Sequence, residues 1–176
     1  MIRATAVRAA VESCPPSEDR DRTLAFLDST DDWHRDDSGH VTASAIVFEP
    51  KATRTLLVFH RKLQRWLQPG GHVEPHDVDL PSAALREATE ETGIAGLVVD
   101  REPLHLDVHW VGTHHHYDVR FLVWAPLGAE PVANAEVERF RWTTPAELAE
   151  IDTDGSVISL VNAALSRIRA SGLHPD

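Results

Sequence analysis

"GGHVEPHDVDLPSAALREATEETG", Gly70 to Gly93, joins a glycine pair, an acidic loop and a run of helical character that ends in clustered carboxylates. Asp79 is a good N-cap and Gly93 a good C-terminal stop, so the spacing predicts a helix from about Leu80 to Thr92. At 100° per residue, Glu87, Glu90 and Glu91 share an arc of about 100°. Leu85, Ala88 and Thr92 lie on the other side, free to face a core. Like charges at these spacings each cost up to about 0.5 kcal/mol. Acids in the last turn also meet the negative end of the helix dipole. Arg86, four residues before Glu90, relieves only part of this. Local rules are usually broken at functional sites, and the natural remedy for clustered carboxylates is a hard divalent cation. The plainer alternative is a solvated acidic helix face.

The rest of the chain narrows the classes. Its 176 residues suffice for one domain with a sizeable core. No apolar run approaches the roughly 20 residues that cross a bilayer, and the N-terminus lacks the continuous apolar block of a signal peptide. Cys14 is the only cysteine, so no internal disulfide forms, which fits a reducing cytoplasm. A formal net charge of −11 disfavours nucleic acid as a partner, because gripping its backbone needs a basic surface. An anionic small substrate remains open if a metal ion or a local group of Arg and Lys supplies positive charge.

Working outward from the helix, residues 17–29 read as a short helix capped by Ser17. Val41–Glu49 and Arg54–His60 read as strands joined by a turn over Pro50 to Thr53. Leu104–Trp110 alternates, with Leu104, Leu106, Val108 and Trp110 facing one way and His105, Asp107 and His109 the other. Tyr117–Ala125 alternates too, and the two are expected to form a hairpin around Gly112. "VERFRW" reads as a further strand and "TPAELAEI" as a short helix. "SVISLVNAALSRIRA" closes the chain as an amphipathic helix. The mixture predicts an α+β fold.

The stretch resembles the Nudix box, G-x5-E-x7-R-E-U-x-E-E-x-G-U, where U is a bulky aliphatic residue. Arg86-Glu87-Ala88-Thr89-Glu90-Glu91-Thr92-Gly93-Ile94 supplies its second half, with Ala88 as a weak U. Pro69-Gly70-Gly71-His72-Val73-Glu74-Pro75 supplies the start. Counting from Gly71, Arg86 arrives one position late, so the loop holds one extra residue. Asp77, or Asp79 if the insertion lies earlier, stands in place of the first Glu. The resemblance implies an α/β/α sandwich around a mixed sheet over residues 40–170, with the box at 70–94 and a helical extension at 1–38. It implies hydrolysis of a nucleoside diphosphate linked to another moiety, with Mg²⁺ or Mn²⁺ as cofactor. By the same resemblance Glu87, Glu90 and Glu91 are metal ligands, one of which also activates water. Gly70 lends a backbone carbonyl, and Arg86 holds Glu90 or a neighbour in place. Small nucleotides are then the expected partners, and a homodimer is compatible with the resemblance.

Outside the box, Glu136 and Glu138 are candidates for an additional acid, Glu138 slightly preferred. Trp66 reads mainly as packing against the sheet, with stacking on a base as the second option. Arg61, Lys62 and Arg65 read mainly as a solvated hairpin tip, with phosphate contact as the second option. His114, His115 and His116 alternate in direction on an extended segment, so they cannot all hold one ion. They read as an exposed hairpin end, with His114 or His116 lining a substrate as the alternative. A Nudix-fold module that binds a nucleotide without hydrolysing it is the rival function. Decayed members lose acids from the helix, and this chain keeps all three. No subgroup signature fixes the substrate downstream of the box, where Pro103 comes too early and Tyr117 too late.

Overall fold

The computed structural model describes residues 2–133, 137 and 139–172. In chain order the elements are α1 (Ala4–Ser13), α2 (Glu18–Ser29), β1 (Gly39–Phe48), β2 (Thr55–His60), β3 (Arg65–Leu67) and β4 (Gly70–His72). Then come α3 (Leu80–Thr92), β5 (Val98–Val99), β6 (His105–Val111), β7 (His114–Trp124), β8 (Phe140–Thr143), a 3-10 turn (Glu147–Glu150) and α4 (Gly155–Ser171). Glu136 and Glu138 lie outside the described residues.

The local signals held where the interactions are local. The Ser17 side chain accepts from the Arg20 amide, and Asp79 accepts from the Ser82 amide at 2.9 Å. Gly93 ends α3 with a left-handed φ of 67°, and an added Cβ there would sit 3.0 Å from the Val132 Cβ. The hairpin around Gly112 forms, with Val111 opposite His114. Other readings need correction. Residues 114–116 belong to β7 itself, because pairing with β1 begins at His115, so they are not an exposed hairpin end. Leu104 precedes β6 and packs on the opposite side of the sheet from Leu106. "TPAELAEI" makes only a 3-10 turn, whose start is tied by Thr144 to the Glu147 carboxylate.

The sheet is mixed. β1 and β7 run parallel at its centre, from Gly39 opposite His115 to Phe48 opposite Trp124. β2 and β4 pair antiparallel with opposite ends of β1, and β5 and β6 pair with β7. Val41, Ala43, Ala45 and Val47 of β1, with Val119, Phe121 and Val123 of β7, face α1, α2 and α3. The alternate residues Ile46, Phe48, Leu122 and Trp124 face α4 through Val157, Leu160, Val161 and Ala164. This is the α/β/α sandwich, and each face follows from the period of two along the strands. Phe26 of α2 stacks on Tyr117 at 4.2 Å between ring centroids, which anchors the N-terminal helices to the first face.

On the α4 face the apolar pattern gives way to a buried polar track. Asp118 accepts from Thr42 Oγ1 and Ser44 Oγ of β1. It also pairs with Arg120 at 2.7 Å, both side chains being 2% exposed. Arg120 further donates to Asp107 of β6 at 3.0 Å and to Ser156 Oγ of α4 at 2.6 Å. One guanidinium thus ties β6 and β7 to the last helix, and Asp118 carries the link on to β1. Burial pushes the Asp107 carboxyl up, but hydrogen bonding from His109 and the charge of Arg120 win and hold it down at about 2. Removing one partner of such a group leaves the other buried and unpaired. Arg120→Met is expected to lower unfolding free energy by about 3–5 kcal/mol in urea titration. A loss below about 1 kcal/mol would mean that packing, not the ion pairs, fixes α4 on the sheet.

Candidate active site

Helix α3 lies close to the sheet because its inner face is small. Ala83, Ala84 and Ala88 are fully buried against β1. That closeness presses Glu87 onto β4. A Cβ added at Gly71 would fall 2.8 Å from the Glu87 carboxyl carbon, and one added at Gly70 would fall 2.1 Å from Ser44 Oγ. The two glycines point to opposite faces of β4, and neither face has room for a side chain. Both are therefore demanded by close approach, not by a turn. The Gly70 amide also donates to Glu91 Oε2 at 3.3 Å.

Arg86 organises the surroundings. Its Nε and Nη2 both reach Asp77, each at 3.0 Å. Nη1 donates to Glu87 at 3.0 Å and to Glu90 at 3.1 Å, and Nη2 to the His72 carbonyl at 2.9 Å. Asp77 is buried and also accepts from the Glu74 amide at 2.7 Å. Burial works against the Asp77 carboxylate, but Arg86 and the Glu74 amide keep its pKa below the ordinary value. Asp79 is engaged as the helix cap and pairs with Arg101. Neither loop acid therefore points at the helix carboxylates: Asp77 orients Arg86, and Asp79 starts the helix. Sequence spacing offers Asp77, or Asp79 if the insertion lies earlier, only as the residue in place of the first Glu of the box.

Glu87 and Glu91 line a cleft of about 580 Å³ with Gly70, Gly71, His72 and Glu74. His60, Arg61 and Lys62, from the end of β2 and the turn after it, line the same cleft. The basic pair is thus both a hairpin tip and part of the cleft lining. Glu90 is turned toward Arg86 and is not part of the cleft lining. Arg65 and Trp66 lie elsewhere: Arg65 faces Asp152 at 3.9 Å, and Trp66 packs edge-on against Phe59 at 5.3 Å with Arg139 over its ring. A hard cation takes carboxylate and carbonyl oxygens, so Glu87, Glu91 and the Gly70 backbone form a fitting donor set for Mg²⁺ or Mn²⁺.

A second cluster was not legible in the sequence. His40, His72, His114 and His116 come together on the far face of β4, with His40 4.7 Å from His72 and 4.8 Å from His116 between ring centroids. His115 points the other way, toward Trp110 and Tyr117, as alternation requires. Burial, with like charge from neighbouring imidazoles, pushes His40 down to about 4 and His116 to about 3, so both rings are neutral near pH 7. His40 and His72 carried no signal of their own, because only the pairing of β1 with β4 and β7 brings them to His116.

The fold has clear relatives. A C. elegans Ap4A hydrolase in a binary complex superposes with a TM-score of 0.66 at 18% identity, over 74% of this chain and 98% of that one. The MutT protein of Methanosarcina mazei gives 0.62 at 18%, over 77% and 98%. The NUDIX domain of Shewanella oneidensis NrtR, solved with ADP-ribose, gives 0.61 at 19%, over 82% and 97%. No curated protein matches the sequence significantly. At these identities the structures speak for the fold alone, but the family model for the NUDIX domain matches residues 39–160, most of the chain and the whole of the site just described. The chain belongs to the Nudix hydrolase family.

Proposed function

We propose that this protein hydrolyses a phosphoanhydride bond in a nucleoside diphosphate linked to a further group, with Mg²⁺ or Mn²⁺ as cofactor. The observation that carries the reading is the mixed charge of one cleft. Glu87 and Glu91 line it together with Arg61 and Lys62 and with the side-chain-free strand Gly70–Gly71. Phosphoanhydrides need such an arrangement, because their own charge repels nucleophiles. Arg61 and Lys62 attract and orient the phosphates by charge. The glycines let the backbone approach the phosphoryl group without a Cβ. Glu87 and Glu91, with the Gly70 carbonyl, would hold the metal, joined by Glu90 once it turns from Arg86; the metal would supply charge neutralisation and a lowered pKa for bound water. One of the three glutamates accepts the proton as water attacks phosphorus. The new P–O bond forms opposite the bridging P–O bond, which breaks and releases a phosphate-terminated leaving group. Arg86, locked by Asp77, keeps the Glu87 carboxylate in position throughout.

The substrate stays at the level of class: nucleoside triphosphates, nucleotide sugars and ADP-ribose all present the required bond. A binding-only reading is kept because one structural neighbour is a NUDIX domain complexed with ADP-ribose and named for its complex, not for turnover. The full helical acid set of this chain favours hydrolysis. The single cysteine, Cys14, is buried, and burial pushes its thiol up to about 11, which keeps it protonated near neutral pH. A phosphate-release screen over a nucleotide panel with Mg²⁺ and Mn²⁺ tests the reading. Turnover of at least one member is expected, whereas tight binding of ADP-ribose with no turnover anywhere would establish the sensor alternative.

Two variants then probe the site. Glu91→Gln is expected to lose at least about 100-fold in turnover, beyond what loss of an outer partner costs. Its metal-free melting temperature should match or exceed that of wild type, because a repulsive charge is gone. Wild-type rates would return the acidic face to a structural role. Arg86→Lys keeps the charge but not the planar fork that serves Asp77, Glu87 and Glu90 together. It is expected to lower Mn²⁺ affinity by about 10–100-fold in calorimetric titration, and unchanged affinity would show that the carboxylates need no such support.

A further inference from the structure

Histidines spread over three neighbouring strands rarely face one point by chance of sequence, and here the register makes them do so. His40 of β1 and His116 of β7 are direct partners across the parallel pair. His72 of β4 sits opposite Thr42, two residues along β1 from His40 and on the same face. Adjacent strands lie about 4.8 Å apart, so three imidazoles on one side of β4, β1 and β7 must crowd together. One ring nitrogen from each of His40, His72 and His116 falls within 4.8 Å of the other two.

The polar atoms there are unsatisfied. Nε2 of His40, of His114 and of His116 is buried and has no hydrogen-bond partner among the described residues. Buried polar atoms are nearly always paired, and an orphaned group calls for a water, an ion or a functional reason. Three orphans on neighbouring rings, each carrying a lone pair or a proton with nowhere to go, share one explanation.

We propose that His40, His72 and His116 form a binding site for a divalent transition-metal ion of the Zn²⁺ class, with His114 alongside as a further donor. The donor set is all imidazole nitrogen. Such a set suits Zn²⁺, Cu²⁺, Ni²⁺ or Fe²⁺, and it does not suit Mg²⁺, which demands oxygen. Zn–N bonds of about 2.0–2.1 Å in a tetrahedron put the nitrogens about 3.3 Å apart. The rings reach that spacing by small turns about χ2, a soft torsion in histidine. Three protein ligands leave a fourth position, which His114 or a molecule from solvent fills. Access exists: His40, His72 and His114 line a cleft of about 620 Å³ with His34, Arg35 and Glu74.

The site is distinct from the carboxylate cluster in its donor atoms, although His72 lines both clefts. Gly71 turns its face of β4 to Glu87, and His72, the next residue, turns to the opposite face. One short strand therefore separates an oxygen site from a nitrogen site. An ion held by His72, His40 and His116 fastens β4 to β1 and β7 immediately beyond the glycine pair.

The test uses full-length protein without a histidine tag, stripped with chelator and titrated with Co²⁺ and then Zn²⁺. One equivalent of Co²⁺ is expected to give the ligand-field absorption of an imidazole-bound, low-coordinate ion, displaced by Zn²⁺ and untouched by excess Mg²⁺. His40→Gln/His116→Gln should weaken binding by at least about 100-fold, since even outer partners of metal ligands cost 10–100-fold. Because those two lie within the sheet, His72→Gln on the exposed short strand is the companion variant and must weaken binding as well. Melting curves in chelator report that each variant is folded. Glu87→Gln/Glu91→Gln should retain the Co²⁺ spectrum. The proposal is overturned if wild type takes up no stoichiometric Co²⁺ or Zn²⁺, if folded histidine variants bind as wild type does, or if the spectrum vanishes with the glutamates.

Discussion

The guanidinium of Arg86 is the joint on which the site depends. It touches the loop, the helix and β4 together, through Asp77, through Glu87 and Glu90, and through the His72 carbonyl. Its side chain is 14% exposed, so these contacts act in a medium less screening than water. Take the positive charge away and a buried aspartate keeps only the Glu74 amide while the glutamates repel one another. Leave it in place and the acids can be held close to each other and to the backbone of β4 before any cation arrives. The frustration seen in the helix is thus partly offset inside the protein. What remains is available to a ligand.

That balance explains why the loop can vary in length. In the box pattern an acid stands six residues after the first glycine, and here the corresponding loop has one residue more. Val78, beside Asp77, is 77% exposed. A side chain at that position is carried outward into solvent, where it disturbs nothing packed. Asp77 and Asp79 stay anchored at either side of it, one on Arg86 and one on the start of α3. A loop fastened at both ends absorbs an insertion at its tip, as surface segments generally do.

How much of this was readable depended on the range of the interactions. Helix α3 was read to its terminal residues, because Asp79 and Gly93 act on groups within a turn of themselves. That Glu87, Glu90 and Glu91 share one face of the helix was readable for the same reason. The role of Asp77 was not, since its partner is nine residues away across a loop. Arg120 carries no signal of its own on an alternating strand, and only the approach of β6 and α4 makes it a buried hub. The histidine run was read correctly in its alternation. Its meaning depended on His40 and His72, and therefore on strand pairings that no local pattern encodes.

The three residues of β4 show how alternation divides the labour. Gly70 meets Ser44, Gly71 meets Ala43 and His72 meets Thr42. The middle residue faces α3, and its missing side chain is filled by the Glu87 carboxylate. The outer two face the polar track of β1, where Ser44 and Thr42 are committed to Asp118. A one-residue slip of β4 would turn a glycine toward the histidines and drive the His72 ring into Glu87. Register is therefore enforced from both faces at once. The space that admits the glutamate on one side and the unsatisfied ring nitrogens on the other are two consequences of the same pairing. A change at either glycine must disturb both.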